Sequence, residues 1–201
     1  GKGQWGAALF DYDNDGDLDI VSANGTAEEL ILQHPLLLEN NGKGHFRDIG
    51  KERCAYFSDK RSGRCLAVWD YDNDGDLDII ISHIDLKASA TLLRNDGGNS
   101  NNWLSLILHG KNGPASAISA KVTVEYGSKK QVLINQMATS YLSWHDPRLH
   151  IGLGQHKKVD RMEIVWSDGN REIYTDINSN HHITILQGTG IIKNQRYNLK
   201  K

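Results

Sequence analysis

The sequence has little of what would tie it to a membrane, a thiolate metal centre or a hydrolase. In 201 residues no apolar run approaches the ~20 residues that a membrane-spanning helix needs. Only two cysteines are present, no Cys-x-x-Cys pair occurs, and His181-His182 stands by itself, so no zinc site is encoded. No Gly-x-Ser-x-Gly turn is found to carry a nucleophile. Gly152-Leu153-Gly154 has no third glycine and nothing helical after it, which excludes a dinucleotide fingerprint. There is no initiator methionine or leader, and the chain opens at Gly1 in the run-up to a strand, as expected of a processed piece of a longer protein. With 38% apolar and 24% charged residues the chain is neither collagen-like nor disordered. A chain this long forms one or two domains and can bury roughly 70% of its unfolded surface.

What is present is an uneven distribution of charge. Residues 1–100 carry 10 Lys+Arg against 18 Asp+Glu, a balance of −8, whereas residues 101–201 carry 13 against 7, a balance of +6. Ten of the 18 aspartates fall in two nine-residue stretches. The run Asp11-Tyr12-Asp13-Asn14-Asp15-Gly16-Asp17-Leu18-Asp19-Ile20 recurs unchanged from Asp70 to Ile79, with a period of 59 residues. The flanks match in kind, Ala8-Leu9-Phe10 against Ala67-Val68-Trp69.

Five carboxylates in nine residues repel one another unless a cation neutralises them. Positions 1, 3 and 5 of such a loop (Asp11, Asp13 and Asp15; Asp70, Asp72 and Asp74) point inward, and the glycine at position 6 permits a sharp turn. Position 7 (Asp17, Asp76) offers a backbone carbonyl, and position 9 (Asp19, Asp78) a further carboxylate. This all-oxygen set selects Ca²⁺ over Mg²⁺ or Mn²⁺. It is not an EF-hand, because position 12 is Ser22 or Ile81 where that loop has a bidentate glutamate. The flanks are β-branched and aromatic, so each loop joins two strands. A structural site is expected, with affinity nearer 10⁻⁴–10⁻³ M than that of a cytosolic buffer.

These residues carry a resemblance. Ala8–Ile20 and Ala67–Ile79 resemble the FG-GAP/VCBS repeats of integrin-like β-propellers. Leu37–Phe46 resembles the outer hairpin of such a blade, with Asn-Asn-Gly-Lys-Gly as its turn, and Leu92-Leu93-Arg94-Asn95-Asp96-Gly97 repeats the first half of it. The resemblance implies calcium held between two strands of each blade. It also implies a propeller of about seven blades, of which this chain holds little more than one and a half.

From Asn101 the aspartate loops stop. Trp103–Leu108, Ala120–Tyr126, Gln131–Ile134, Met162–Trp166, Glu172–Tyr174 and His182–Leu186 alternate as half-buried strands, with a turn at Ser167–Asn170. Six or seven strands and no helix predict a small sandwich or barrel. Asn101-Asn102-Trp103-Leu104, Ala117–Val122, Leu149–Gly154 and Val165–Gly169 resemble the ASPIC/UnbV domain of the cartilage acidic protein family. The chain departs from that family's common pattern at Ser119, where a glycine is usual, at Ser167, where a proline is usual, and in lacking Asn-Arg before the second strand.

The sequence therefore predicts an all-β chain: propeller repeats over 1–98, an ASPIC/UnbV-like β-sandwich or barrel over 99–187, and a basic tail over 188–201. The expected function is a calcium-binding, non-enzymatic binding or adhesion role outside the cell or on its surface. The partner would be an unidentified extracellular protein or glycan, with no nucleic acid and no membrane insertion. The alternative is an accessory module of a larger secreted glycan-degrading enzyme. Cys54 and Cys65 could close a short loop worth ~3 kcal/mol, a bridge that calcium chemistry and an oxidising compartment would favour, or remain two thiols. Ser143, His145, Asp146 and His150 are the residue types of a triad, but without a nucleophile elbow they read as a polar turn. Lys129-Lys130, Lys157-Lys158 and Lys200-Lys201 are spread without a nucleic-acid reader motif and read as solvated surface. Asn24-Gly25-Thr26 fits the N-glycosylation pattern.

Overall fold

In a computed structural model, which describes residues 3–26, 31–84, 90–136 and 138–196, the chain is almost entirely β-structure. The first half forms two antiparallel sheets stacked as propeller blades. Strands β1 (Gln4–Phe10), β2 (Asp19–Asn24), β3 (Leu36–Asn40) and β4 (Phe46–Asp48) pair in sequence order. Strands β5 (Gly63–Trp69), β6 (Asp78–His83) and β7 (Ala90–Leu93) form the second blade. Each aspartate loop closes the first hairpin of its blade: Phe10 opposes Asp19, and Trp69 opposes Asp78. Asn-Asn-Gly-Lys-Gly turns β3 into β4, as expected.

Between the blades the chain makes a short helix, α1 (Gly50–Arg53), and a 3-10 turn at Ala55–Ser58. The alternation of β1 and β5 sends one face of each blade into a shared seam. There Phe10, Val21, Ala23 and Leu37 meet Leu66, Val68, Ile79 and Ile81, and Ile49 and Phe57 close the seam from outside. Both cysteines are free thiols. Cys54 packs against the seam, whereas Cys65 on β5 does not belong to it, so the bridge that calcium chemistry favoured does not form.

The second half is a sandwich of two four-stranded sheets, not a barrel. One is ordered β10-β9-β12-β13 from β9 (Lys121–Tyr126), β10 (Lys129–Ile134), β12 (Lys158–Val165) and β13 (Arg171–Asn178). The other is ordered β11-β8-β14-β15 from β8 (Asn102–His109), β11 (Leu149–Gly154), β14 (His181–Leu186) and β15 (Gly190–Arg196). Strands β8 and β14 pair in parallel, which the long excursion between them permits. Leu104, Leu106, Val122, Val124, Ile151, Met162, Ile164, Ile183 and Ile185 fill the space between the sheets.

Eight strands are found where six or seven were expected. Part of the expected tail, Gly190–Arg196, is β15, paired along β14. It is exposed at almost every position, so no alternation marks it in the sequence. Residues 197–201, with Lys200-Lys201, lie outside the described residues. Asn24 of the glycosylation pattern is buried, and its side chain bonds Ser22 Oγ and the His34 carbonyl, so it is not presented to solvent.

Residues 138–148, between β10 and β11, run back along the exposed edges of β1 and β5. Ser140 Oγ accepts the Ala7 amide at 3.2 Å and Ser143 Oγ the Leu66 amide at 3.1 Å. His145 Nδ1 accepts the Val68 amide at 3.1 Å, and the Asp146 amide donates to the Val68 carbonyl. Of the triad-like residues, Ser143 and His145 are thus spent on strand edges whose N–H groups would otherwise lack partners, and the Asp146 amide on a strand-edge carbonyl, whereas His150 lies on β11.

Ile164→Ala, at a fully buried position, is expected to cost about 2–5 kcal/mol, read as a lower urea midpoint with unchanged slope. The unfolded, unreduced chain should titrate with two thiols per molecule. A chain with none would restore the disulfide.

Candidate metal centre

The two loops fold alike because the same positions are left-handed in both. Asn14 and Asn73 have φ of 58° and 59°, and Gly16 and Gly75 have φ of 96° and 93°. Asparagine tolerates this region and glycine is at home in it. The resulting coil points its backbone N–H groups at its own carboxylates. Asp11 accepts from the amides of Asp15 (3.1 Å) and Gly16 (2.8 Å), and Asp15 accepts from Asp17 at 2.8 Å. In the second loop Asp70 accepts from Gly75 (3.2 Å) and Asp74 from Asp76 (2.9 Å).

The position-9 aspartate does the same work in both copies. Asp19 accepts the amides of Tyr12 (3.1 Å) and Asn40 (2.8 Å), and Asp78 those of Tyr71 (3.0 Å) and Asn95 (2.7 Å). Asn40 follows Leu-Leu-Glu and Asn95 follows Leu-Leu-Arg, so each loop is tied to the third strand of its blade through one repeated asparagine. That asparagine was visible in the sequence as part of a hairpin, but its role at the loop was not.

Two clusters result. Asp11, Asp13 and Asp15 bring carboxylate oxygens within 4.8 Å of one another, as do Asp70, Asp72 and Asp78. The outlying aspartates differ between copies. Asp17 is partly exposed and faces the Gly42 turn, whereas the Asp76 carboxylate is fully buried against the Gly98 backbone. Asp70 Oδ1 is buried without a hydrogen bond. Hard oxygen donors held together, with a buried acceptor left over, fit a divalent cation of the calcium type.

Electrostatics point the same way. Burial, reinforced by the neighbouring carboxylates, pushes Asp11 up to about 8, and burial pushes Asp19 up to about 7. Asp70 rises to about 7, Asp76 to about 8 and Asp78 to about 6, desolvation being the main cause each time. Asp13, Asp15 and Asp74 are raised for the same reason.

The second half of the chain sits directly on both loops. Gly152 lies so close to the first that a Cβ there would collide with Asp11 Oδ2, and Gly75 of the second lies under the Trp103 indole in the same way. Asn14 spans the junction: its Nδ2 donates to the Gly75 (2.9 Å) and Gly98 (3.1 Å) carbonyls, and its Oδ1 lies 2.5 Å from His150 Nε2. Because Asn14 Nδ2 is already donating, His150 must carry its proton on Nε2. Burial drives the His150 pKa down to about 3, so the ring is neutral. Asn101 Nδ2 and Lys129 Nζ donate to the carbonyls of Asp13 and Asp15, both at 2.9 Å. Arg148 bonds the Asp70 carbonyl and Asn73 Oδ1. No sequence pattern marked Trp103, Lys129, Arg148 or Gly152 as neighbours of the loops, because the contacts span 28 to 141 residues.

Residues 11–81 match the FG-GAP-like repeat family and residues 110–192 match ASPIC and UnbV. The chain is 27% identical to cartilage acidic protein 1 of Xenopus tropicalis over 223 aligned positions, which cover 82% of this chain and 34% of that protein. It is 31% identical over 173 positions to cartilage acidic protein 1 of Mus musculus and of Homo sapiens, covering 79% of this chain and 25% and 24% of theirs. The chain thus spans about a quarter to a third of the length of the curated relatives it matches.

Raised carboxyl pKa values fix the sign of a pH effect. Without cation, the five most perturbed aspartates keep their protons in the folded chain to about pH 6–8, whereas unfolded carboxyls lose theirs near pH 4. The folded state then binds more protons in that window, and stability falls as pH rises through it. The chelator-stripped chain should melt several degrees higher at pH 5 than at pH 8, with calcium restoring the loss at pH 8. A melting temperature that rises with pH in the stripped chain would contradict this.

Proposed function

From a chain that joins FG-GAP-like repeats to an ASPIC and UnbV segment, and is homologous to cartilage acidic protein 1 over about four-fifths of its length, we propose a calcium-stabilised, non-enzymatic binding module of an extracellular protein. The observation that carries this reading is the pair of carboxylate clusters at the hairpin ends, with a buried acceptor, Asp70 Oδ1, left unbonded in the second. Asp11, Asp13, Asp15 and Asp19 would hold one ion with the Asp17 carbonyl; Asp70, Asp72, Asp74 and Asp78 would hold the other with the Asp76 carbonyl. Calcium supplies the positive charge that ionised carboxylates otherwise lack.

The chain's own part is to keep those oxygens together. The amides of Tyr12 and Asn40, and of Tyr71 and Asn95, anchor the position-9 carboxylates to two strands, so a filled loop fixes hairpin and third strand as one body. Loop sites of this kind bind weakly enough to be filled outside the cell, where calcium is millimolar, and empty within it. The name of the relatives supports the same compartment. A rigid β-surface suits recognition of an extracellular protein or glycan, and Ser143 and His145 of the triad-like set are engaged in strand-edge hydrogen bonds.

Calorimetric titration of the stripped, folded chain tests the reading, with circular dichroism as the check on folding. About two calcium ions should bind per chain, in preference to magnesium, and Asp13→Ala or Asp72→Ala should each remove one. A folded chain that takes up no calcium would refute it.

A further inference from the structure

The two aspartate loops are identical over ten residues, so any difference in their hold on a cation must come from what packs against them. The second half of the chain presents different residues to the same loop position. Asn14, fourth in the first loop, meets His150, a neutral ring at 2.5 Å. Asn73, fourth in the second loop, accepts instead from Arg148 Nη1 at 2.7 Å. Arg148 also donates from Nη2 to the Asp70 carbonyl at 2.5 Å, and its Nη1 lies 4.0 Å from Asp70 Oδ2.

Arg148 is fixed there. Its side chain is only 16% exposed, and Asp146 grips Nε at 2.7 Å and Nη2 at 2.6 Å. The first loop also has a cation near it, since Lys129 Nζ reaches the Asp15 carbonyl at 2.9 Å, but Lys129 is exposed to solvent. Charge in water is screened several-fold more than charge held at a partly buried site, so Arg148 is the stronger of the two influences. His182 Nε2 also lies 4.0 Å from the same Asp70 oxygen.

We infer that Arg148 sets the two loops apart, making the loop at Asp70–Asp78 the weaker cation site because a guanidinium already stands beside its first ligand. Asp146, on the far side of that guanidinium, tempers the effect. The inference rests on the proposed reading that the loops bind calcium. It gives the identical repeats different duties: the first depends on its ion, whereas the second is partly neutralised by the domain docked on it.

Calcium titration of the 201-residue chain at pH 7.5 and low salt should resolve two steps about tenfold or more apart, as expected for one unit charge near the ion at a partly buried site. Asp72→Asn should abolish the weaker step and Asp13→Asn the tighter one. Arg148→Gln should strengthen the weaker step by about tenfold, closing the gap, whereas Arg148→Lys, which keeps the charge, should leave it open. Asp146→Asn should weaken the same step further, by leaving the guanidinium uncompensated. Opposite shifts from the two halves of one ion pair mark a charge effect, since loosened packing would weaken the site in both variants. Two equal steps in the parent chain, or weakening in both Arg148→Gln and Asp146→Asn, would overturn the inference while leaving calcium binding standing. No uptake by the folded chain would overturn both.

Discussion

Crowded negative charge at two hairpin ends is the constraint to which the rest of the molecule answers. Two carboxylates about 4 Å apart at a protein surface repel by ~4 kcal/mol, and each loop draws five of them into nine residues. A hydrogen bond to a charged group contributes about 1.5–3 kcal/mol. The amides that converge on Asp11, Asp19, Asp70 and Asp78 therefore offset part of the repulsion and cannot offset all of it. What is left must be met by protons or by a cation, and on the proposed reading calcium meets it at neutral pH. The geometry follows from this need: asparagine and glycine in left-handed backbone coil each loop around its carboxylates, and the position-9 aspartate binds the coil to the third strand.

That coil is also a docking surface. Because the loop backbone is wound with its N–H groups inward, carbonyls such as those of Asp13, Asp15 and Asp70 face outward, where Asn101, Lys129 and Arg148 donate to them. Close approach is possible because glycine occupies the contact on each side: Gly152 over Asp11, and Gly75 under Trp103. Asn14 then links both loops to β11 through its amide and His150. Order in the loops and registry between the two halves of the chain are, in this way, one structural problem with one solution. The segment 138–148 extends the same junction along the edges of β1 and β5.

The parts of this that local sequence encodes were legible in it. An exact ten-residue repeat with carboxylates at alternate positions announced the loops, their oxygen chemistry and their place between strands. Period-two alternation gave most of the sandwich, from Trp103–Leu108 to His182–Leu186. What failed lacked such a signal. Strand β15 is solvated on nearly every residue, so burial wrote no pattern into Gly190–Arg196. The free state of Cys54 and Cys65 depends on which of them reaches the seam between blades, a tertiary fact. Asp76 shares its sequence context with Asp17 but not its surroundings, since Asp17 faces an exposed glycine turn and Asp76 lies against Gly98. A repeat predicts equal loops, and only folding makes them unequal.

The charge asymmetry also changes meaning once folded. In the sequence, a −8 half and a +6 half invite a search for external counter-ions. In the structure, part of that basic charge is turned inward. Arg148 stands at Asp70 and Lys129 reaches over Asp15, so the second half brings its cations to the acidic loops of the first. Other basic residues face carboxylates of their own sheet: Lys158 pairs with Asp176, and Arg161 and Arg171 share Glu163. The −8 and +6 of the two halves sum to a net charge of −2 for the whole chain. Those basic side chains thus meet their counter-charge within the molecule, Arg148 and Lys129 across the junction of the two halves and the others within one sheet.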